Sequence, residues 1–498
     1  MHIREVRYIM QIQRLIENIE AHADTQASSP ALSWPGNELS YKHFWEMVLD
    51  AVERLPTIDG AGSMALVEAQ KTPQFIALMI AMGRQRITPL IVPAHLGEEV
   101  RAKIIARSGA THSVSLLAGG EQYWTNIGQI GKHPDIDTPA LCLTTSGSTG
   151  VPKVVRLNAN GIGAFFDWAQ SYFGIQAGVR MISIAPLNFD LSLLEIWAGL
   201  DAGAEIFLAD PERSTEQGYL AGLCDDVSPE IVQAIPLFHD RLCSGLSSSS
   251  NFRPRHLIVT GEESTQKLRS DMAVRFPEAM FHNIYGSTET NDSFILSAAG
   301  AEFAAPAKIG IGKPIDGTTF RIEEDPEVPG TGELLTATPF VASGYSDVEQ
   351  TQKAFIPELE GGRLVTYFRT GDRVRTLEDG SLELIGRTDF VLKLRGVRTN
   401  LLDVEEVIRL QASVLEAVTI PFHDPVTGQK QLLAVVATDP EITVSNLQMR
   451  AHCALHLPKS ALPSRYVLTQ DPLPKTSTGK VNRSYLTRKF IPKLETNA

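Results

Sequence analysis

From about residue 40 to residue 300, short β-rich runs alternate with longer amphipathic ones. SMALVEA, ITPLIVP and THSVSLL are apolar strings bounded by turn formers. Between them, TPQFIALMIAMGRQ and EEVRAKIIARSG place apolar residues at helical spacing. Strand, helix, strand, helix in that rhythm predicts doubly wound α/β layers on parallel sheet. Further on, GELLTAT, RLVTYFR and RVRTLEDGSLELIGR read as short, turn-bounded strands, with Asp379-Gly380 as a hairpin turn. A β-rich layer therefore follows the α/β layers. After Gly386 the pattern changes again. A strand (VLKLRG), a helix (LLDVEEVIRLQAS), two strands (AVTIPF and QLLAVVAT) and a helix near 444–457 make a compact α+β unit. The expected organisation is a large domain over 1–388 and a small one over 389–498, with the boundary near Asp389.

The chain has 498 residues, of which 43% are hydrophobic and 21% charged, enough for a large buried core. Its 45 basic and 58 acidic residues leave a formal charge of −13. A negative surface repels nucleic acid and anionic lipid, so neither is an expected partner. Cys142, Cys224, Cys243 and Cys453 show no CxxC and read as reduced thiols. The N-terminus mixes Arg4, Glu5, Arg7, Arg14, Glu17 and Glu20 into its apolar positions, which suits an amphipathic helix and not a signal peptide. With no apolar run of about 18 residues, nothing is expected to span a membrane. By default the expected compartment is the cytoplasm.

The strongest local signal is LCLTTSGSTGVPKVVRL. An apolar run ends in Thr144-Thr145-Ser146-Gly147-Ser148-Thr149-Gly150, with Pro152-Lys153 beyond. Glycines let backbone N–H groups approach an anion, hydroxyls add donors and lysine adds charge, so the segment reads as a phosphate cradle. It is not a GxxxxGK[ST] loop, because the glycine spacing differs and Val154 follows Lys153.

This string resembles the phosphate-binding signature of the adenylate-forming superfamily of acyl-CoA synthetases, luciferases and peptide-synthetase adenylation domains. Further resemblances follow in the family's order: Leu39-Ser40-Tyr41, Asn188 to Ser192, Tyr285 to Thr290, Gly332 to Tyr345, Phe368 to Asp372, Gly386 to Arg398 and Pro474 to Lys480. Together they run from about residue 39 to 483. The resemblance implies ATP and Mg²⁺ as cofactors, and a small C-terminal domain that is mobile about a hinge at Asp389. It implies that Thr145, Ser146, Gly147, Ser148, Thr149, Gly150 and Lys153 hold phosphates. Tyr285 would stack on adenine, with Gly286 and Ser287 beside it. Thr288 would touch the α-phosphate and Glu289 would hold Mg²⁺. Asp372 would take both ribose hydroxyls, and Arg387 the ribose or phosphate. Lys480 would contact the substrate carboxylate and α-phosphate as charge develops. Rotation about Asp389 would then present the Lys393–Arg398 loop, with Gly396 leaving room for an incoming thiol.

The sequence departs from the family at Val154, Ser287, Thr260-Gly261-Glu262 and Thr399-Asn400, without losing a charged or metal-binding group. Asp190 resembles the acid that pairs with the ammonium of an amino-acid substrate, since a buried ammonium needs a partner. It also reads as a helix N-cap ahead of LSLLEIWAGL. By resemblance Leu191, Leu194, Ala234, Ile258, Thr260, Ile284, Asp292 and Ser293 line the same pocket. Asp292 hints at a second polar or cationic group on the substrate. The plainer reading turns it to solvent from a loop.

The expected enzyme is a free-standing, AMP-forming amino-acid ligase. It would make an aminoacyl-AMP and hand the acyl group to the phosphopantetheine thiol of a separate carrier protein. An acyl- or aryl-CoA synthetase is the near alternative, and a P-loop ATPase or phosphotransferase the distant one. His452 with His456, and His239 with Cys243, have a spacing that could bind zinc, but no nearby acid completes either set.

Overall fold

Among the described residues, the apolar runs form two large sheets in one unit of the chain and a smaller sheeted core in the other. The computed structural model describes residues 2–496 apart from 59–61, 95, 118, 129–138, 146–151, 211, 215, 217, 326–327, 395–396, 425–429, 458–460 and 477–479. The chain divides into a first unit (1–323, 334–370 and 376–383) and a second (324–333, 371–375 and 384–498).

In the first unit, the larger sheet has nine strands. Its order is Lys313–Pro314, Asn291–Ala299, Met280–Ser287, His256–Thr260, Ile231–Ala234, Arg180–Ser183, Glu205–Leu208, Pro30–Trp34 and Asn37–Ser40. The six strands from Met280–Ser287 to Pro30–Trp34 run parallel, and the flanking pairs are antiparallel. The second sheet runs Gln122–Asn126, His112–Leu116, Met64–Glu68, Thr88–Val92, Leu141–Thr145 and Lys153–Leu157. Its inner four strands are parallel and its edge strands antiparallel. Helices cover these sheets as the periodicity predicts. Pro73–Arg84 starts where the Thr72 hydroxyl accepts from Phe75 N, with proline at its first position, and buries Phe75, Ile76, Leu78 and Met82.

The N-terminal helix, His2–Thr25, is held by Asp201. That buried carboxylate takes Arg14 at 2.9 Å, Asn18 at 3.0 Å and Gln170 at 2.8 Å. Beside it Ile16, Ile19 and Ala23 enter the main core. The β-rich stretch departs from expectation in one respect. Arg363–Thr376 is one strand of 14 residues, not the two short strands read from sequence. Gly371, at φ +73°, bends the chain there without ending the strand.

The second unit is built on Lys430–Thr438, which pairs antiparallel with Val414–His423 and parallel with Arg465–Thr469. Leu432, Ala434 and Val436 enter one apolar cluster with Leu401, Ile408 and Met449, while Leu433, Val435 and Ala437 enter another with Phe422 and Leu486. Burial on both faces is why QLLAVVA is continuously apolar. Arg483 forks onto Glu405 at 2.6 and 2.7 Å, and the same carboxylate accepts from Thr419 N at 2.6 Å. Glu405 is 2% exposed, and that guanidinium meets both of its oxygens.

Arg483→Leu should therefore destabilise the second unit by about 3–5 kcal/mol, because it strands a buried carboxylate. Adding Glu405→Leu should restore more than half of the loss, as read by chemical denaturation of the full chain.

Candidate active site

Several of the site residues expected from sequence stand at the C-terminal ends of parallel strands. Strand Met280–Ser287 turns back into Asn291–Ala299 with an irregular register after Tyr285. At Gly286 a β-carbon would sit 2.1 Å from the Asn291 carbonyl oxygen, so only glycine allows this closure. Asn291 completes the turn at φ +51°, a conformation asparagine tolerates better than most residues. Thr290 N donates to Ser287 O at 3.0 Å, and the Ser293 hydroxyl donates to that of Thr290 at 3.0 Å. The result is a rigid tip that presents Thr288 and Glu289.

Glu289 is buried at 8% exposure. Its Oε1 accepts from the Tyr345 hydroxyl at 2.7 Å, and its carbonyl accepts from Ala342 N at 2.8 Å. Lys153 Nζ lies 4.7 Å from the centre of the Tyr345 ring. Strand Lys153–Leu157 borders the same segment, through Ser346 N to Val154 O at 2.9 Å and Arg156 N to Gly344 O at 2.9 Å. Tyr345, part of a recognised motif but given no role from sequence, thus joins Glu289 to the cradle lysine.

Thr145 and Lys153 face each other across antiparallel strands. Ser146, Gly147, Ser148, Thr149 and Gly150 lie outside the described residues. A P-loop passes from a strand into a helix, so this strand-to-strand connection removes that alternative. Beside the loop, Thr144 Oγ1 is buried with no hydrogen-bond partner among the described residues.

Asp190 lies half-buried in the segment between strand Arg180–Ser183 and a π-helical turn, Leu193–Ala198. It is not the helix cap expected from sequence, because the turn begins after Ser192. The Thr288 side chain and the Leu191 backbone N–H both lie close enough to favour its charged form. Removal of water pushes the Asp190 pKa up; the Thr288 side chain opposes this and the Glu289 charge adds to it. Asp292 is also half-buried, on a strand and not in a solvent-facing loop as the plainer reading had it. Desolvation, with the charge of Asp190 second, pushes its pKa up to about 8.

Ala234, Ile258, Thr260 and Ile284 lie on three neighbouring parallel strands, with Thr260 opposite Ile284 and Ala234 opposite Val259. Leu194 is buried and Leu191 half-buried beside Asp190 in sequence. Ser293 is fully buried, its hydroxyl spent on Thr290. Tyr285 is half-buried and meets Phe294 edge-on at 5.9 Å.

In the second unit, Arg387 Nη1 donates to Asp372 Oδ1 at 2.6 Å. Gly371 N donates to Glu333 at 3.2 Å, which fixes the bend that carries Asp372. Lys480 is exposed, and its carbonyl accepts from Thr476 N at 2.7 Å. Asp389 lies in the turn Thr388–Phe390 and Lys393 on strand Val391–Leu394, while Gly396 falls outside the described residues. The candidate zinc spacings are structural. His452 Nε2 bonds the Val407 carbonyl at 2.8 Å and Cys453 is buried in the core. His239 bonds the Ile258 carbonyl at 2.9 Å, with its pKa pushed down to about 4 by burial. No group of three or more potential metal ligands occurs among the described residues.

Residues 19–346 match the AMP-binding enzyme family, and residues 403–480 match the AMP-binding enzyme C-terminal domain. The L-proline–[L-prolyl-carrier protein] ligase of Pseudomonas fluorescens is 31% identical over 82% of this chain and 80% of its own. The D-alanine–D-alanyl carrier protein ligase of Bacillus velezensis is 24% identical over 94% and 98%. A dimodular nonribosomal peptide synthase of Bacillus subtilis is 32% identical over 70% of this chain, which spans only 15% of that protein's length. Among solved structures, NpsA of Klebsiella oxytoca in complex with 3-hydroxyanthranilyl-AMSN superposes with a TM-score of 0.75 at 22% identity, covering 95% of this chain and 99% of its own. The o-succinylbenzoate CoA synthetase of Bacillus subtilis does so with 0.77 at 18%, covering 94% and 97%. Fold and family agree: the chain belongs to the AMP-binding family of adenylate-forming enzymes.

Proposed function

We propose that this enzyme activates the carboxylate of an amino acid with ATP and passes the aminoacyl group to the phosphopantetheine thiol of a separate carrier protein. The observation that carries this reading is Asp190: a half-buried carboxylate beside Thr288, with no cation paired to it among the described residues. An ammonium is the partner that such a group lacks. Relatives named as prolyl- and D-alanyl-carrier protein ligases, each matched over most of its length, support a carrier as the acceptor.

In the first half-reaction, a substrate carboxylate oxygen attacks the α-phosphorus of ATP, the α–β bridging bond breaks and pyrophosphate leaves. In the second, the thiol loses its proton, its sulfur attacks the acyl carbon and AMP leaves. Tyr285 would stack on the adenine and Asp372 would accept the two ribose hydroxyls, with Arg387 orienting that carboxylate. Thr145, Ser146 to Gly150, and Lys153 would hold the phosphates, and Lys480 would neutralise charge growing on the α-phosphate and the substrate carboxylate. Gly286, Ser287 and Thr288 form the tip beside the nucleotide. Leu191, Leu194, Ala234, Ile258, Thr260, Ile284, Asp292 and Ser293 would shape the side-chain pocket. Asp389, Lys393 and Gly396 would serve the thiol-transfer half-reaction.

Glu289 suits Mg²⁺, a hard ion that takes one or two protein carboxylates together with phosphate oxygens and water. When bound, the ion would neutralise charge on the polyphosphate, while Tyr345 holds the Glu289 carboxylate in place.

A panel of amino acids and their deamino analogues in ATP–pyrophosphate exchange tests the reading. Asp190→Ala should cost at least about tenfold more on the amino acid than on its deamino analogue. Equal losses would remove the amine-recognition role.

Asp292 generates a second prediction. Its pKa of about 8 in the folded enzyme lies above the unfolded value of about 4, so folding takes up a proton between those limits. The cost of keeping Asp292 is absent below the lower value and grows as pH rises towards the upper one. The unfolding midpoint of Asp292→Asn should therefore gain on wild type between pH 5 and about pH 8 and level off above it. A constant difference across that range would contradict the assignment.

A further inference from the structure

A charge-bearing connection holds the segment that carries Asp190 and has no role in the chemistry above. Glu195, in the π-helical turn, is 1% exposed. Its Oε2 accepts from the Ser183 hydroxyl at 2.9 Å, from Ile184 N at 3.0 Å and from Ala185 N at 3.1 Å. One carboxylate therefore gathers the last residue of strand Arg180–Ser183 and the first two residues of the segment that leads to Asp190. Glu195 itself stands at the other end of that segment, where its backbone N–H donates to Leu191 O at 3.1 Å.

The balancing cation comes from the other sheet. Lys71 follows strand Met64–Glu68, and its Nζ donates to the Ser183 carbonyl at 3.0 Å. Ser183 thus takes the lysine on its carbonyl and gives its hydroxyl to the glutamate. The two charges also feel each other: burial pushes Lys71 down to about 8 and Glu195 up to about 7, each opposed by the partner's charge. Such a cation is costly to desolvate, and a neutral side chain would fill the same space without that cost. Its chemistry is explained if the connection fixes a geometry.

We propose that the Lys71–Ser183–Glu195 connection is the positioning device that sets Asp190 for the substrate's ammonium. Both ends of residues 184–195 are pinned to one carboxylate, which is tied through Ser183 to the sheet bearing the phosphate-cradle strands Leu141–Thr145 and Lys153–Leu157. Thr288, on the hairpin tip, lies beside Asp190. Neither Lys71 nor Glu195 touches substrate. They act by fixing where Asp190 stands, which governs amino-acid binding and leaves the nucleotide grip alone. This inference rests on the proposed activation of an amino acid.

The test is steady-state ATP–pyrophosphate exchange by the full-length enzyme, varying the panel's best acid and ATP separately. Lys71→Met, Glu195→Gln and Ser183→Ala should each raise the KM for the amino acid, about tenfold or more for the first two and severalfold for the third. The KM for ATP should stay within about twofold of wild type. The Lys71→Met/Glu195→Gln double variant should lose less than the product of the single losses. Ser183→Ala removes only a hydroxyl, so it remains informative if a charge variant does not fold. Unchanged KM for the acid, or equal increases for acid and ATP, would overturn the positioning role. If wild type instead prefers a deamino acid, the amino-acid reading fails. Positioning for an ammonium falls with it, and the KM for that acid then reports only how the pocket is held.

Discussion

Two carboxylates beside one hairpin tip, Asp190 half-buried and Glu289 buried, set the geometry on which the site depends. Asp190 lies beside Thr288, and Glu289 receives the Tyr345 hydroxyl. Thr288 and Glu289 are neighbours on one hairpin tip. That tip therefore ties the segment after Ser183 to the segment that ends at Tyr345, with Lys153 over its ring. Removing water from charged oxygens is unfavourable unless something repays it. The close turn at Gly286, the left-handed Asn291 and the hydroxyl chain through Thr290 keep the tip from relaxing into a more solvated form.

The cost makes sense as preorganisation. On the proposed reading, an acid held in place ahead of binding would favour a ligand that brings the missing positive charge, and disfavour one that leaves it unmatched. The apolar ends of neighbouring parallel strands, at Ala234, Ile258 and Ile284, add shape to the same place. Parallel strands deliver such groups together because their C-terminal ends share one edge of the sheet.

Much of this was legible in the chain. The alternation of SMALVEA, TPQFIALMIAMGRQ and ITPLIVP gave strand Met64–Glu68, helix Pro73–Arg84 and strand Thr88–Val92, because periods of 2 and 3.6 are local properties. The compact C-terminal α+β unit was visible for the same reason. What stayed hidden depends on contacts far apart in sequence. Asp190 reads as a cap from its neighbours, but its partner, Thr288, lies 98 residues away in number. Glu195 sits in an apolar run, LSLLEIWAGL, and only the folded loop shows that it binds three donors. Arg483 stands in sequence among Lys475, Arg488 and Lys489 with nothing local to mark it, and the structure spends it on Glu405. A charged residue inside an apolar run, as at Glu195, is the one sequence signal of such a buried contact.

In the proposed reaction a carboxylate oxygen of the substrate ends on the α-phosphorus of ATP. The most direct measurement uses an amino acid labelled with ¹⁸O in its carboxylate, under single-turnover conditions with the carrier thiol present, followed by mass spectrometry of the nucleotide and phosphate products. That transfer leaves one ¹⁸O in AMP and none in pyrophosphate. Label in inorganic phosphate, with ADP as the nucleotide product, would contradict it.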